Sequence, residues 1–189
     1  MGRGLILVRH AMPVVSDTVP STAWTLPESS MEDCVLLAHC LPPGLAPLVY
    51  TSSQPKAERT AAVIALRRGL KVETDEALRE VDKPEEWFAD DNDYRATVVD
   101  YLRDGGRESW ETHAAVARRF GAGVNRALAA NPSGDLVVVN HGMALSLYLA
   151  SKTAIDLVPF WRALTFPDAW RLDLDTRELI RLFEEGIVR

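Results

Sequence analysis

Two apolar segments that lie far apart in the chain each end close to a histidine. Residues 5–8 form a continuous apolar run that is followed by Arg9 and His10, and residues 136–139 form a second run shortly before His141. Apolar runs of this length are typical of strands that are covered on both faces, as in a parallel sheet. Ligands of such sheets bind outside the carboxyl ends of the strands. We therefore expect both imidazoles at the ligand-binding edge of one sheet.

The remaining segments alternate between strand and helix patterns. This alternation predicts an α/β fold, a three-layer sandwich with a mostly parallel central sheet and helices on both faces. The 189 residues suit a single domain over residues 1–189. The last two strands are predicted to form an edge hairpin that turns at Asp175 and Thr176. The predicted helices cover residues 31–41, 56–68, 109–130 and 143–151, and the further strands cover residues 48–51, 70–73, 169–174 and 178–183.

An acidic and aromatic segment at about residues 77–106 stands out from this alternation. We expect it to be an insertion of short helices that covers the ligand-binding end of the sheet. Trp87 and Phe88 either line a pocket there or anchor the insertion to the core. Ser109 is predicted to be the N-cap of the helix that follows. Arg118-Arg119, on that helix, is predicted to lie on a solvated face.

The composition excludes several classes of protein. The net charge of −6 argues against a binder of nucleic acid or of anionic membranes. No apolar stretch approaches the roughly 18 residues that span a bilayer, and the run after Arg3 is short for a signal peptide. Cys34 and Cys40 fall in a predicted helix, and no set of cysteines and histidines has the spacing of a zinc finger. We predict a cytoplasmic protein with reduced thiols, no metal and no other cofactor.

The residues around the two histidines suit phosphoryl transfer. Neutral imidazole is a nucleophile, and the charge of Arg9 beside His10 disfavours imidazolium. The planar guanidinium of Arg9 can also bind phosphate oxygens. His141 can donate hydrogen bonds to charge that builds up in the transition state, and it is followed by Gly142 and then a helix whose free N–H groups can face an anion. These residue types predict a metal-independent reaction through a phosphohistidine.

Three further charged residues are candidates for the same site. Lys56 and Arg59 follow the end of a predicted strand and add cations at the same edge of the sheet. Glu80 is a candidate proton donor to a leaving oxygen. Because several other acidic residues surround Glu80 in the sequence, a surface carboxylate is the alternative.

The sequence resembles the histidine phosphatase superfamily, also called phosphoglycerate mutase-like, over most of the chain. Five segments carry the resemblance, and they occur in the order that the family has. They are Arg9-His10 for the Arg-His-Gly motif, residues 52–61 for the "S-x-x-x-R-A-x-x-T-A" helix start, Leu78-x-Glu80 for the segment with the acid, residues 139–142 for the second-histidine motif, and residues 167–170 for the late segment.

The resemblance implies a phosphoglycerate mutase-like fold and the role of each site residue. In these roles His10 is phosphorylated, Arg9 and a second basic residue hold the phosphate, His141 completes the pocket, and Glu80 acts as acid and then as base. Lys56 stands where the family has its arginine, and Arg59, nearly one helical turn later, is an equal candidate for the second cation. The implied substrate is a small phosphorylated metabolite or a phosphoprotein.

Two other functions stay open beside a phosphatase. A phosphoglycerate mutase-type transfer requires a site that retains its intermediate, and the short chain with apolar residues 11–13 argues against it. A phosphate-binding module without turnover is consistent with Lys56 in place of arginine, whereas both histidines and Glu80 argue against it. We therefore predict an enzyme, a histidine phosphatase that hydrolyses phosphate monoesters.

Overall fold

One sheet forms the centre of the molecule. The structure is a computed structural model, in which residues 2–85, 88 and 90–184 are described. Within these residues the sheet has six strands in the order β3-β2-β4-β1-β5-β6. The first four of this order run parallel, and β5 is antiparallel to both of its neighbours. The strands are β1 Gly4–Arg9, β2 Leu45–Thr51, β3 Lys71–Thr74, β4 Asp135–Asn140, β5 Asp168–Asp173 and β6 Leu179–Glu184.

Helices cover both faces of the sheet and connect its parallel strands. Gly69, with φ of 66°, ends the second helix in the left-handed conformation that favours glycine. The 3₁₀ turn at Glu76–Leu78 leads the chain from β3 toward the candidate active site. The helices are α1 Met31–Cys40, α2 Pro55–Arg68, α3 Asp91–Asp104, α4 His113–Ala130, α5 Gly142–Ala150 and α6 Leu157–Ala163, with 3₁₀ turns at Ser21–Ala23, Glu28–Ser30 and Glu76–Leu78.

Alternate residues of the central strands face two separate cores. On one face, Leu5 and Leu7 of β1 belong to a cluster with residues of α3, α4, α5 and α6. On the other face, Ile6 and Val8 belong to a cluster with residues of α1 and α2. All four side chains are fully buried, which explains why the run is apolar at every position. Burial of each such side chain contributes about 1.5–3 kcal/mol to stability.

The register of the sheet places the two histidines side by side. Arg9 at the end of β1 pairs with Asn140 at the end of β4. The next residue on each strand is a histidine, and the N–H of His10 donates to the carbonyl of Asn140 at 3.0 Å. The predicted α/β fold, with a mostly parallel sheet between two layers of helices, is therefore confirmed. The predicted edge hairpin is also found, as β5 and β6.

Two predictions about the helices are wrong in detail, and one helix was not predicted. Where short helices were expected, α3 is a single 14-residue helix, which Asp90 caps by accepting the N–H of Asn92. The N-cap of α4 is Thr112, whose side chain accepts from Ala115, whereas Ser109 has a positive φ of 66°. The sequence analysis also assigned no helix where α6 forms.

Cys34 and Cys40 are both free thiols, as predicted.

Candidate active site

The ring of His10 is held by the backbone next to it. Its Nδ1 lies 2.7 Å from the carbonyl oxygen of Ala11. Because a carbonyl oxygen only accepts hydrogen bonds, Nδ1 carries the proton, and Nε2 keeps its lone pair. The N–H of Ala11 is fixed in turn by Thr60 of α2, whose Oγ1 accepts it at 3.1 Å. This arrangement presents Nε2 of His10 as a nucleophile of defined orientation.

His141 lies against His10, with ring centroids 5.0 Å apart and an interplanar angle of 63°. Its Nε2 is 2.8 Å from Oγ of Ser52, which follows β2 and also accepts the N–H of Gln54. Nδ1 of His141 is buried and has no hydrogen-bond partner among the described residues. No described residue therefore uses the hydrogen-bonding capacity of this nitrogen. Sequence analysis gave Ser52 no role of its own, although it begins the helix-start motif.

Arg9 is held by the loop that precedes β5. Its Nη1 donates to the carbonyl of Leu164 at 3.0 Å, and its guanidinium carbon lies 3.3 Å from the centre of the Phe166 ring. Gly142 allows this position, because a Cβ there would come within 3.1 Å of Nε of Arg9. Burial lowers the pKa of Arg9 to about 10, so the group keeps its charge at neutral pH. Nε of Arg9 is a second buried nitrogen without a partner among the described residues.

The structure separates the two candidates for the second cation. Lys56 is buried, and its Nζ donates to the carbonyl of Ser21 and faces the ring of Trp24. Arg59, one helical turn further on, is exposed and lines a surface pocket with Thr25. Of the pair, Lys56 is therefore the cation close enough to the histidines to lower the pKa of both imidazoles.

The electrostatic environment keeps both imidazoles neutral. Burial is the main reason that the pKa of His10 lies well below its usual 6.5, and the charge of Lys56 adds to this effect. Burial and the neighbouring His10 hold the pKa of His141 well below the same value. Burial also lowers the pKa of Lys56 to about 8, against the opposing attraction of Glu80. At pH 7 the site therefore combines two neutral imidazoles with two cations.

Glu80 lies at the N-terminus of α5, the helix that follows His141 directly. Its Oε1 accepts the N–H of Ala144 at 2.8 Å, and its Oε2 accepts the N–H of Met143 at 3.2 Å. Two of the N–H groups that were predicted to face a bound anion are thus occupied by this carboxylate. The alternative of a surface carboxylate is not what the structure shows, since Glu80 lies within the site.

Two further residues near the site were not found by sequence analysis. Burial raises the pKa of Tyr94, on α3, to about 12, and the nearby Glu80 carboxylate adds to the increase while Arg9 opposes it. Arg119 of α4 is paired with Glu111 and is only 14% exposed, so the predicted solvated face is wrong for this residue.

Trp87 lies outside the described residues. Phe88 contacts Tyr94, with ring centroids 5.6 Å apart.

The site is closed in the structure. The exposed fractions are 5% for His10, 1% for His141 and 6% for Lys56. Ser21, from the segment after β1, lies over Lys56, and its N–H donates to Oε2 of Glu85 at 3.0 Å. Ser21 therefore connects Lys56 to Glu85 at one side of the site.

The described ranges hold neither a metal-binding cluster nor a membrane-spanning helix. Residues 2–85, 88 and 90–184 contain no group of three or more histidine, cysteine or carboxylate side chains placed to hold a metal ion. In the same part of the chain, every helix is too short or too polar to cross a membrane.

The chain matches a family model over most of its length. The model describes the histidine phosphatase superfamily (branch 1), and the match covers residues 5–171. The chain belongs to the histidine phosphatase superfamily. The predicted family is thus confirmed, and the expectation of a histidine phosphatase is confirmed at the level of the family. A comparison with curated proteins finds no significant match.

Several solved structures have a similar fold. Bacillus stearothermophilus YhfR has a TM-score of 0.76 at 20% identity, with 98% of each chain covered. A mycobacterial glucosyl-3-phosphoglycerate phosphatase, solved with inorganic phosphate, has a TM-score of 0.74 at 19% identity, with 95% of each chain covered. A candidate alpha-ribazole-5'-phosphate phosphatase of Escherichia coli has a TM-score of 0.71 at 20% identity, with each chain fully covered. At these identities the likeness shows a shared phosphoglycerate mutase-like fold.

Proposed function

We propose that this histidine phosphatase hydrolyses phosphate monoesters through a covalent phosphohistidine at His10, without a metal ion. One observation carries the proposal: Nδ1 of His10 donates to the Ala11 carbonyl at 2.7 Å, which leaves Nε2 unprotonated. That nitrogen lies in a closed site with a second imidazole and two cations. These are the groups that in-line phosphoryl transfer needs at the reacting phosphorus.

In the first step, the lone pair of His10 Nε2 forms a bond to phosphorus, and the bond from phosphorus to the ester oxygen breaks. The carboxyl group of Glu80 gives its proton to that departing oxygen. Arg9 and Lys56 bind the phosphoryl oxygens, and Nδ1 of His141 donates to one of them when that nitrogen carries the proton. The buried nitrogens of Arg9 and His141 that lack a partner among the described residues support this arrangement.

In the second step, a water molecule attacks the phosphohistidine. The Glu80 carboxylate accepts a proton from the water as its oxygen bonds to phosphorus, and the bond from phosphorus to Nε2 breaks. His10 is thereby restored, inorganic phosphate is released, and Glu80 is protonated again. The same carboxyl group thus acts as acid and then as base.

The substrate we propose is a small phosphorylated metabolite. The mycobacterial and Escherichia coli proteins of similar fold are named for such substrates. The closed site supports the same choice, since His10 is only 5% exposed. A phosphoprotein is the other candidate predicted from the sequence. The predicted cytoplasmic location stays a prediction.

The test is hydrolysis of p-nitrophenyl phosphate in EDTA by the intact chain and by His10→Ala. We expect turnover that survives EDTA and is lost in the variant. Full activity in His10→Ala would exclude the proposed nucleophile, and loss of activity in EDTA would exclude metal independence. Incubation with 3-phosphoglycerate tests the mutase, because isomer formed faster than free phosphate would favour that alternative.

A further inference from the structure

The backbone that carries Glu80 is held by one arginine of α4. Nη1 of Arg119 donates to the carbonyl of Ala77 at 2.8 Å and to that of Arg79 at 3.0 Å. Its Nη2 donates to the carbonyl of Glu80 itself at 3.3 Å. A single guanidinium therefore fixes three carbonyls of one short segment, and the last of them belongs to the proposed acid.

Glu111 holds the same guanidinium and extends the contact past Glu80. Its two carboxylate oxygens accept from Nε and Nη2 of Arg119 at 2.9 and 2.6 Å. The backbone N–H of Glu111 donates to the carbonyl of Asp82 at 2.7 Å, and the N–H of Asp82 donates back to Glu111 Oε2 at 3.2 Å. The side chains of Arg119 and Glu111 are 14% and 13% exposed. The pair thus holds the backbone on both sides of Glu80 in the sequence.

The rest of that face of α4 packs against the same segment. Residues spaced by three and four lie on one side of a helix, which places Gly123 and Arg126 beside Arg119. A Cβ at Gly123 would come within 3.1 Å of Ala77, so the helix and the segment are in close contact there. Arg126 pairs with Asp75 at 2.7 Å. The position of the segment is therefore set by α4.

We propose that the Arg119–Glu111 pair positions the Glu80 carboxyl group for proton transfer to and from the reacting oxygen. Both are positioning residues, because their contacts are with Glu80's backbone and its neighbours and not with the substrate. The inference rests on the proposed phosphatase mechanism, in which Glu80 protonates the departing oxygen. Its physical basis is that an acid must lie within hydrogen-bond reach of the proton acceptor.

The dependence of activity on the leaving group of the substrate distinguishes this positioning role from a merely structural one. Nitrophenolate is weakly basic and departs readily without a proton, whereas phenolate is more basic and depends on the acid. An enzyme with a misplaced acid therefore loses more activity toward phenyl phosphate than toward p-nitrophenyl phosphate. A variant that is only partly folded loses activity toward both esters by the same factor.

The experiment measures kcat/KM for both esters in the intact chain, Arg119→Lys, Glu111→Gln, Glu80→Gln and the double variant Arg119→Lys/Glu80→Gln. Lysine keeps the charge of Arg119 but cannot span Glu111 and three carbonyls with one planar group. Arg118→Gln is the matched control, since Arg118 is the exposed neighbour on the same helix. Should Arg119→Lys fail to fold, Glu111→Gln carries the same test.

We expect Arg119→Lys to lose at least about tenfold more activity toward phenyl phosphate than toward the nitrophenyl ester. This selective loss is part of the rate enhancement of about 10²–10⁴-fold that general acid catalysis supplies. Glu80→Gln should show the same selectivity, and the double variant should add no further selective loss. Arg118→Gln should match the intact chain. Equal losses for both esters, or selective losses that add in the double variant, would overturn the inference. An intact chain that hydrolyses neither ester would instead show that the proposed function has failed.

Discussion

Replacement of Lys56 by arginine should move the alkaline limit of activity. In the proposed mechanism Lys56 binds phosphate in its charged form, and burial lowers its pKa to about 8. Since only the protonated form is active, kcat/KM should be full below that pH and should fall as the pH rises through it. One pH unit above the pKa, about one-tenth of the lysine stays protonated, so kcat/KM should be about tenfold below its plateau.

The guanidinium introduced by Lys56→Arg would stay charged over this range, because guanidinium is a much weaker acid than ammonium. In this variant the alkaline fall should therefore move up until Arg9, whose pKa is about 10, begins to lose its proton. The alkaline limit should appear in the pH dependence of kcat/KM, which reports the ionisation of groups in the free enzyme. In kcat it should lie higher, because a bound phosphate dianion stabilises the charged lysine.

The assay is hydrolysis of p-nitrophenyl phosphate from about pH 5 to about pH 10, with kcat and KM determined separately. The comparison variant is Arg59→Gln, which changes the exposed candidate and should leave the alkaline limit where it is. A limit that stays in place in Lys56→Arg would refute the assignment of Lys56. A large fall in kcat/KM at every pH in Arg59→Gln would transfer the role to Arg59.

Two glycine substitutions test the packing around the site and the fold. Gly142→Ala places a Cβ 3.1 Å from Nε of Arg9. This variant should lower kcat/KM by about tenfold with little change in melting temperature. Unchanged kinetics would show that Arg9 is not held there for function. Gly134→Ala should reduce stability by about 1–3 kcal/mol in thermal unfolding, because Gly134 has a φ of +79° and its Cβ would lie 2.7 Å from the backbone nitrogen of Ala46. Gly121→Ala is the control for both, since its Cβ would meet Tyr148 at 3.7 Å, an ordinary contact distance. A melting temperature equal to that of Gly134→Ala would contradict the argument.

The fold and the position of the histidines could be predicted because they depend on local patterns. The apolar run of residues 5–8 is long enough for a strand, and both of its faces are buried. In an open α/β sheet, the residue that follows such a parallel strand lies at the ligand-binding edge. His10 and His141 could therefore be placed together before the register of β1 and β4 was known.

The features that were missed depend on what lies opposite a residue. Arg118 and Arg119 are adjacent on one helix, and only the position of the Glu80 segment decides which is buried. Lys56 and Arg59 pose the same problem, since the rotation of α2 against the sheet decides which cation faces the histidines. Ser109 and Thr112 are both good N-cap residues, and the positive φ of Ser109 has no sign in its residue type.

The most direct test of the account is to trap the phosphoryl group on the enzyme. The intact chain would be mixed with excess p-nitrophenyl phosphate, quenched within one turnover in alkaline denaturant, digested, and analysed by peptide mass. The account predicts the mass of one phosphoryl group on the peptide that contains His10, located on that histidine and absent from His10→Ala. Rapid release of nitrophenol with the phosphoryl group on another residue, or on none, would contradict it.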